Sequence, residues 1–141
     1  MQNPHRWSRM ADSRMTCLWS LPQGASFDSM IGWAGLAVPH FLPEVLPAVE
    51  VGWRLAGPWR GRGLATEAGA AAVEFGFTAG GLERIVSIYE PDNVASGRVM
   101  ERLGFTHDRT TVGPRGEEVV VMVLERQRWR AGAGMGDVRH G

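Results

Sequence analysis

The residues most able to do chemistry in this chain lie in a glycine-rich segment, residues 60–67, which reads Arg-Gly-Arg-Gly-Leu-Ala-Thr-Glu. It follows an alternating apolar stretch at 49–55 and opens an alanine-rich run at 64–78. A glycine-rich turn that begins a helix presents unpaired backbone N–H groups at the positive end of the helix dipole. The segment therefore predicts a site for a phosphate-bearing ligand, with Arg60 and Arg62 adding positive charge. The alternative is a tight strand-to-helix turn in which the glycines serve only the geometry.

Three glycine-loop patterns compete for this segment, and the spacing separates them. A Walker-type loop needs a lysine, and the chain contains none, so that interpretation is excluded. A dinucleotide fingerprint needs a third small residue after Gly61 and Gly63, where the chain has Thr66. Glu83 and Glu90 lie at about the required distance for the ribose contact, so a nicotinamide-cofactor domain stays open as a weak alternative.

A second segment carries helix signals directly after a predicted buried strand. The strand runs from Ile85 to Tyr89, is rich in β-branched residues, and ends at a Glu-Pro-Asp-Asn break. Asn93 is a favoured N-cap for a helix from Val94 to Leu103, and Gly104 is favoured just after the end of such a helix.

Both segments resemble signatures of one family, the GNAT superfamily of acetyl-CoA-dependent N-acetyltransferases. Arg60, Gly63 and Ala65 fit the Arg-x-x-Gly-x-Ala pattern of its pyrophosphate loop, and residues 93–105 resemble its second signature. The resemblance covers about residues 31–125 and is strongest to the RimJ/RimL type, which acetylates the amino termini of ribosomal proteins. It implies acetyl-CoA as donor, CoA as product and a protein N-terminal amine as acceptor. Small amines, amino acids and aminoglycosides stay open as acceptors.

In this family the strand before the phosphate loop separates from its neighbour and leaves a slot for the pantetheine arm. The resemblance implies that main-chain groups at the end of that strand bind the arm and that loop amides hold the pyrophosphate. Asn93 would hydrogen-bond to the pantetheine and could cap its helix at the same time. The donor-binding residues implied in this way are Trp53, Arg54, Leu55, Arg60, Gly61, Arg62, Gly63, Leu64, Ala65, Thr66, Asn93 and Ser96.

Glu50 is the candidate general base, acting through water on an incoming ammonium group. Strand alternation places its side chain on the same side as Gly52 and Arg54. Gly52 is compatible with a bulge or a close backbone approach in this strand. The alternatives for Glu50 are an exposed strand carboxylate and an ion pair with Arg54.

The proton for the leaving thiolate has no obvious source. Many relatives have a tyrosine where this chain has Met100, so the role falls to Ser96, to Tyr89 or to solvent. Ser96 fits the Rim-type pattern better than Tyr89 does. A serine in the first turn of a helix is also an ordinary capping residue.

The predicted fold class is α/β (α+β), a mixed, largely antiparallel sheet flanked by helices, with one helix on each side. Strands are predicted at 16–21, 29–38, 48–55, 84–89, 106–111 and 117–125, and helices at 64–78 and 94–103. Residues 16–126 are predicted to form the acetyltransferase domain. Residues 1–15 are predicted to be disordered or loosely attached, and residues 127–141 to be a disordered tail.

Only about sixteen residues precede the first predicted strand. By the resemblance, the first strand and the first two helices of the family fold are therefore expected to be missing. The exposed sheet edge that this would leave favours a homodimer. A non-catalytic acyl-CoA-binding or dimerisation module is the alternative to an enzyme.

Composition limits the partners. The formal net charge is +0 and the pI is about 6.9, so no broad attraction to nucleic acid is expected. No apolar run approaches the ~20 residues that span a bilayer. The one cysteine, Cys17, forbids an intrachain disulfide and fits a reducing compartment, so a cytoplasmic location is expected. The four histidines lack metal-ligand spacing, so no metal site is predicted.

Overall fold

A seven-stranded mixed sheet organises the computed structural model, which describes residues 8–12, 16–22, 30–55 and 63–139. The strands are β1 (Ser8–Asp12), β2 (Thr16–Pro22), β3 (Met30–Ala37), β4 (Glu50–Leu55), β5 (Arg84–Tyr89), β6 (Thr106–Val112) and β7 (Glu118–Glu125). The helices are α1 (Leu64–Phe77), α2 (Val94–Arg102) and α3 (Arg126–Arg139), and Pro43–Val45 forms a short 3-10 turn. The strand order is β1-β2-β3-β4-β5-β7-β6, and every neighbouring pair is antiparallel except β4 and β5. The mixed, largely antiparallel sheet predicted from the sequence is confirmed.

Two elements lie in segments for which the sequence predicted no regular structure. Strand β1 pairs antiparallel with β2, so four strands rather than three precede α1. Helix α3 packs through Trp129, whose ring centroid lies 5.2 Å from that of Phe77. The Nε of Arg128 also donates to the carbonyl of Gly104 at 2.9 Å. Helix α3 depends on contacts with distant parts of the chain, which local sequence patterns do not report, whereas β1 pairs with the strand that directly follows it.

All three helices share one apolar cluster on one face of the sheet. Val73 and Phe77 from α1 and Met100 from α2 pack there with Ile85 of β5, and Trp129 of α3 packs against the same cluster. The prediction of one helix on each side of the sheet is therefore wrong for the described part of the chain. A parallel connection such as β4-α1-β5 fixes the side of α1, and the apolar side chains of α2 join it there.

The connection between β3 and β4 covers the opposite face of the sheet. Leu42, 3% exposed, packs there against Val86 of β5 and against Val119 and Val121 of β7. The two faces alternate along β5 as its pleat requires. The sheet is thus covered on both faces near the point where β4 meets β5.

Candidate active site

A crevice begins where β4 and β5 separate. Within the described residues, these parallel strands pair in register only at Glu50 and Val86. There the Val86 N–H donates to the carbonyl of Val49 at 2.9 Å. Both strands continue beyond this pair without further pairing to each other. The separation forms the slot that the resemblance implies.

The separation does not arise from a bulge at Gly52. Strand β4 pairs with β3 without a register shift, and Gly52 lies opposite Gly35 in that pairing. A Cβ built at Gly52 would meet no atom within 4 Å. The glycine therefore leaves open space in the crevice rather than bending its strand, and the bulge considered from the sequence is not found.

Glu50 lies at the start of the crevice. Its residue is half-buried, and burial raises the pKa of its carboxyl to about 7. Val51 lies on the helix-covered face of β4, so Glu50 projects from the opposite face, as the alternation predicted. No salt bridge joins Glu50 to Arg54 among the described residues, so the ion-pair alternative is not seen. A carboxyl with this pKa can exchange a proton near neutral pH.

Helix α1 begins at the far end of the crevice. Its N-cap, Gly63, has φ of 76°, in the left-handed region that favours glycine. The first helical bond runs from the Glu67 N–H to the Gly63 carbonyl at 3.0 Å. Within the described residues, no carbonyl from another element accepts from the amides of Leu64, Ala65 and Thr66. These amides are therefore available to an anion at the positive end of the helix dipole.

A cleft of about 510 Å³ lies between this end of α1 and helix α2. The Thr66 Oγ1 is buried and has no hydrogen-bond partner in the described part of the chain. Leu64 lines the apolar core and offers only its amide. The uncapped amides and the orphaned hydroxyl fit a ligand that carries phosphate oxygens. The cleft is lined by Trp53, Arg54, Leu55, Gly63, Ala65, Thr66, Asn93, Ala95, Ser96, Arg98, Val99 and Arg102.

The positive charge beside this cleft was only partly predicted. Arg60, Gly61 and Arg62, which the sequence assigned to the ligand, lie outside the described residues. Arg98 and Arg102 of α2 line the cleft instead, and the sequence analysis missed them. Their i, i+4 spacing on a helix next to the glycine-rich turn was the available signal.

Helix α2 places two further predicted residues at the crevice. The Asn93 Oδ1 accepts a hydrogen bond from the Ser96 N–H at 3.3 Å, so Asn93 caps the helix as predicted. This bond leaves the amide group of Asn93 with its N–H donors for another partner. Asn93 and Ser96 also line a second, larger cleft of about 750 Å³.

Tyr89 reaches the larger cleft because Gly97 has no side chain. A Cβ built at Gly97 would lie 3.0–3.2 Å from the end of the Tyr89 ring, including its hydroxyl oxygen. Met100, 2% exposed, lies behind this ring in the core and at the wall of the cleft. Ser96 and Tyr89 are thus the two predicted hydroxyls that the structure brings to one cleft with Glu50.

The two clefts adjoin, since Trp53, Arg54, Asn93 and Ser96 line both. The larger one continues to the sheet face opposite the helices, where two aromatic residues, Trp33 and Phe41, lie at its wall. Together the clefts join the N-terminal end of α1 to a half-buried carboxylate, Glu50.

Charged side chains surround the larger cleft. Its lining carries four carboxylates, Glu50, Glu90, Asp92 and Glu117. Arg115 bridges Glu90 at 2.7 Å and Glu117 at 3.5 Å. The sequence analysis missed this cluster because its members are brought together only by the loops after β5 and β6.

Comparisons with known proteins agree with this geometry. A family model for the acetyltransferase (GNAT) domain matches residues 2–106, which is more than half of the chain. The chain therefore belongs to the GNAT family of acetyltransferases.

One curated protein similar to this chain is the uncharacterized N-acetyltransferase YnaD from Bacillus subtilis (strain 168). The identity is 36% over 59 residues, which are 42% of this chain and 35% of that protein. The chain thus matches about a third of the length of this relative.

Two solved structures share the fold at low identity. Ribosomal-protein-S5-alanine acetyltransferase from Vibrio fischeri has a TM-score of 0.65 and 20% identity, over 82% of this chain and 64% of that one. A mutant of spermidine N-acetyltransferase SpeG from Vibrio cholerae has a TM-score of 0.66 and 17% identity, over 82% and 68%. At these identities the two structures support the fold alone.

Neither a metal site nor a membrane-spanning helix is found among the described residues. No group of three or more His, Cys, Asp and Glu side chains in them could hold a metal ion. No described helix combines the length and apolar character needed to cross a bilayer.

Proposed function

We propose that this chain is an N-acetyltransferase that moves the acetyl group of acetyl-CoA to a primary amine, with a protein N-terminal amine as the acceptor. The observation that carries the proposal is the crevice itself. It joins uncapped helix amides at one end to a carboxyl with a pKa of about 7 at the other. Acetyl transfer needs both features, since the donor carries phosphates and the acceptor amine must lose a proton.

The donor lies along the smaller cleft in this proposal. The amides at the start of α1, from Gly63 to Thr66, and the Thr66 hydroxyl hold its diphosphate, with Arg98 and Arg102 beside them. The main chain from Trp53 to Leu55 and the Asn93 side chain hold its pantetheine arm. Acetyl-CoA supplies an acetyl group that is activated as a thioester. Arg60, Gly61 and Arg62 stay predicted phosphate contacts.

Glu50 accepts the proton of the acceptor ammonium through a water molecule. Its raised pKa means that a substantial fraction is ionised at neutral pH, while the group remains basic enough to take a proton. Ser96 and Tyr89 line the same cleft and are the hydroxyls assigned to protonate the departing thiolate. The main-chain amides of β4 beyond Val51 orient the acetyl carbonyl.

A small cationic amine is the second candidate acceptor. Asp92 lines the larger cleft and makes no salt bridge among the described residues, so it can pair with a second positive charge. The resemblance to the RimJ/RimL type supports the peptide.

An amine panel tests the proposal. We expect CoA thiol release from acetyl-CoA with an alanine-initiated peptide that lacks lysine, and none with the same peptide blocked at its amino terminus. Activity with spermidine and not with the free peptide would favour the small amine. Binding of CoA in calorimetry without turnover of any amine would contradict the enzyme and favour a non-catalytic acyl-CoA-binding module.

A substitution at the start of α1 tests the donor site. We expect Gly63→Val to weaken CoA binding by roughly tenfold to a hundredfold, because a β-branched residue at φ 76° costs about 1–3 kcal/mol. Crowding is not the reason, since a Cβ there would meet nothing within 4 Å. Relief of the strain turns the first amides of α1 away from the cleft. Calorimetric titration with CoA measures the effect.

The control is Gly63→Asn, because asparagine tolerates the left-handed region better than other side chains. Its CoA affinity is expected to lie close to wild type. Equal affinity in Gly63→Val and wild type would contradict the assignment of these amides to the diphosphate.

The homodimer and the cytoplasmic location that the sequence predicts are also part of the proposal. Size-exclusion chromatography with light scattering measures the first, and a monomer at micromolar concentration would contradict it. Fractionation of the source cells measures the second.

A further inference from the structure

One buried polar side chain has no role in the mechanism described above. Ser87, in the middle of β5, is 1% exposed and is the one buried polar side chain among the described residues. Its Oγ donates a hydrogen bond to the carbonyl of Val51 on β4 at 2.8 Å. This bond lies directly beyond the last paired residues of the two strands, Glu50 and Val86.

The Ser87 bond occupies the acceptor that a longer ladder would use. In a parallel ladder through Glu50 and Val86, the next amide of β5 to face β4 is that of Ile88, and its acceptor is the Val51 carbonyl. The structure gives that carbonyl to the Ser87 hydroxyl instead. The Ser87 hydroxyl thus takes the place of the Ile88 amide as the donor to Val51, and the two strands can separate one residue pair earlier.

The Ser87 hydrogen bond also satisfies a buried carbonyl, that of Val51. Val51 is 0% exposed, and a buried carbonyl without a partner is unfavourable. Two arrangements satisfy it without help from water. Either β5 moves against β4 and the Ile88 amide binds it, which closes the crevice, or a side chain provides the donor and the crevice stays open.

We propose that Ser87 is a positioning residue for acetyl transfer, which fixes the point where β4 and β5 part and so holds the donor slot at a set distance from Glu50. The inference rests on the proposed function, since it assigns Ser87 to the same site. Ser87 lies at the wall of the larger cleft, but its hydroxyl is bound to the Val51 carbonyl and takes no part in the chemistry of this scheme. It acts through the main chain of β4, and its loss lets the two strands pair one step further.

Replacement of the hydroxyl tests the proposal kinetically. Ser87→Ala is expected to lower kcat/KM for acetyl-CoA by roughly tenfold to a hundredfold, the scale of a small displacement in an active site. The acid limb of the pH–rate profile is expected to move as well, because Glu50 adjoins the rearranged pair. Ser87→Thr, which restores a hydroxyl, is expected to recover most of the lost kcat/KM.

Ile85→Val is the matched control. Ile85 lies on the same face of the same strand, is 0% exposed and contacts neither cleft. Thermal unfolding is expected to show a loss of stability in both variants, and only Ser87→Ala is expected to change kcat/KM and the pH profile. Equal kinetic losses in the two variants, or wild-type kinetics in Ser87→Ala, would overturn the proposal.

A readout without turnover separates this proposal from the proposed function. In NMR of the free protein, the Ile88 amide is expected to exchange with solvent faster than the Val86 amide. In Ser87→Ala it is expected to become protected as the ladder extends, and the affinity for CoA is expected to fall. These two changes would support the role of Ser87 even if wild type transferred no acetyl group. An Ile88 amide that exchanges alike in both proteins would overturn it.

Discussion

The Glu50→Gln variant is expected to lose roughly a hundredfold to ten-thousandfold in kcat at pH 7, while its CoA affinity stays near wild type. Glutamine keeps the shape of the side chain but cannot accept the proton of the acceptor ammonium. The wild-type profile of kcat/KM for the amine is expected to fall on the acid side with a midpoint near 7, the pKa to which burial raises Glu50 in the free protein. Steady-state rates from pH 5.5 to 9 measure both effects.

The control for this variant is Glu44→Gln. Glu44 is an exposed carboxylate bound to Arg109 and Thr111, outside both clefts. Its removal deletes the same charge and is expected to leave the acid limb unchanged. An acid limb in Glu50→Gln that matches wild type would show that Glu50 is not the base.

The Glu50→Gln substitution is also expected to stabilise the folded state at neutral pH. The folded-state pKa of about 7 lies above the ordinary value of 4.5, so the folded state binds the additional proton between these two values. Stability therefore falls as pH rises from about 4.5 to 7 and stays at the lower level above that window. Removal of the ionisable group is expected to raise the free energy of unfolding above pH 7 by at most about 3 kcal/mol. Urea unfolding at pH 5 and pH 8 measures this difference.

The Gly52→Leu variant is expected to lower kcat/KM for the amine without weakening CoA binding. The Gly52 position faces the larger cleft, and a Cβ there would meet no atom within 4 Å, so the new side chain fills the space beside Glu50. The leucine side chain is expected to crowd the acceptor amine in the larger cleft at a cost of about 1–3 kcal/mol. This cost lowers kcat/KM for the amine roughly tenfold to a hundredfold. Gly52 does not line the smaller cleft, so calorimetric CoA affinity is expected to change little. Gly63→Val, by contrast, is expected to weaken CoA binding itself.

Gly52→Ala provides the graded control, since one methyl group leaves most of the space open. Strand stability is expected to rise slightly in both variants, because glycine is unfavourable inside a strand. A Gly52→Leu protein that folds normally and turns over at the wild-type rate would contradict the placement of the acceptor in the larger cleft.

The elements that position the site were predictable from local signals. Asn93 caps α2 and Gly63 opens α1 in the left-handed region, and each is a residue type with a strong local preference for that role. Strand alternation likewise predicted the side of β4 from which Glu50 projects. These features depend on a few adjacent residues, which a sequence contains in full.

Most of the features that failed depend on partners far along the chain. Helix α3 packs through Trp129 on Phe77, whereas β1, which pairs with the next strand β2, was missed although its partner is close in sequence. The placement of α1 and α2 on one face follows from the packing of Met100 with the α1 cluster, which periodicity alone does not determine. Ser87 was visible as a polar residue inside a β-branched strand, yet only its bond to Val51 explains it.

The sheet consists of two antiparallel halves, β1 to β4 and β5 with β7 and β6, that share a single rung at Glu50 and Val86. The two halves therefore share little main-chain pairing, and α1 packs against strands of both. A molecule bound in the crevice would contact both halves and stabilise their junction. Because such a molecule binds the folded state alone, it shifts the unfolding equilibrium in proportion to its concentration. In the proposed function this molecule is acetyl-CoA, so the unfolding temperature of the protein is expected to rise with the concentration of acetyl-CoA.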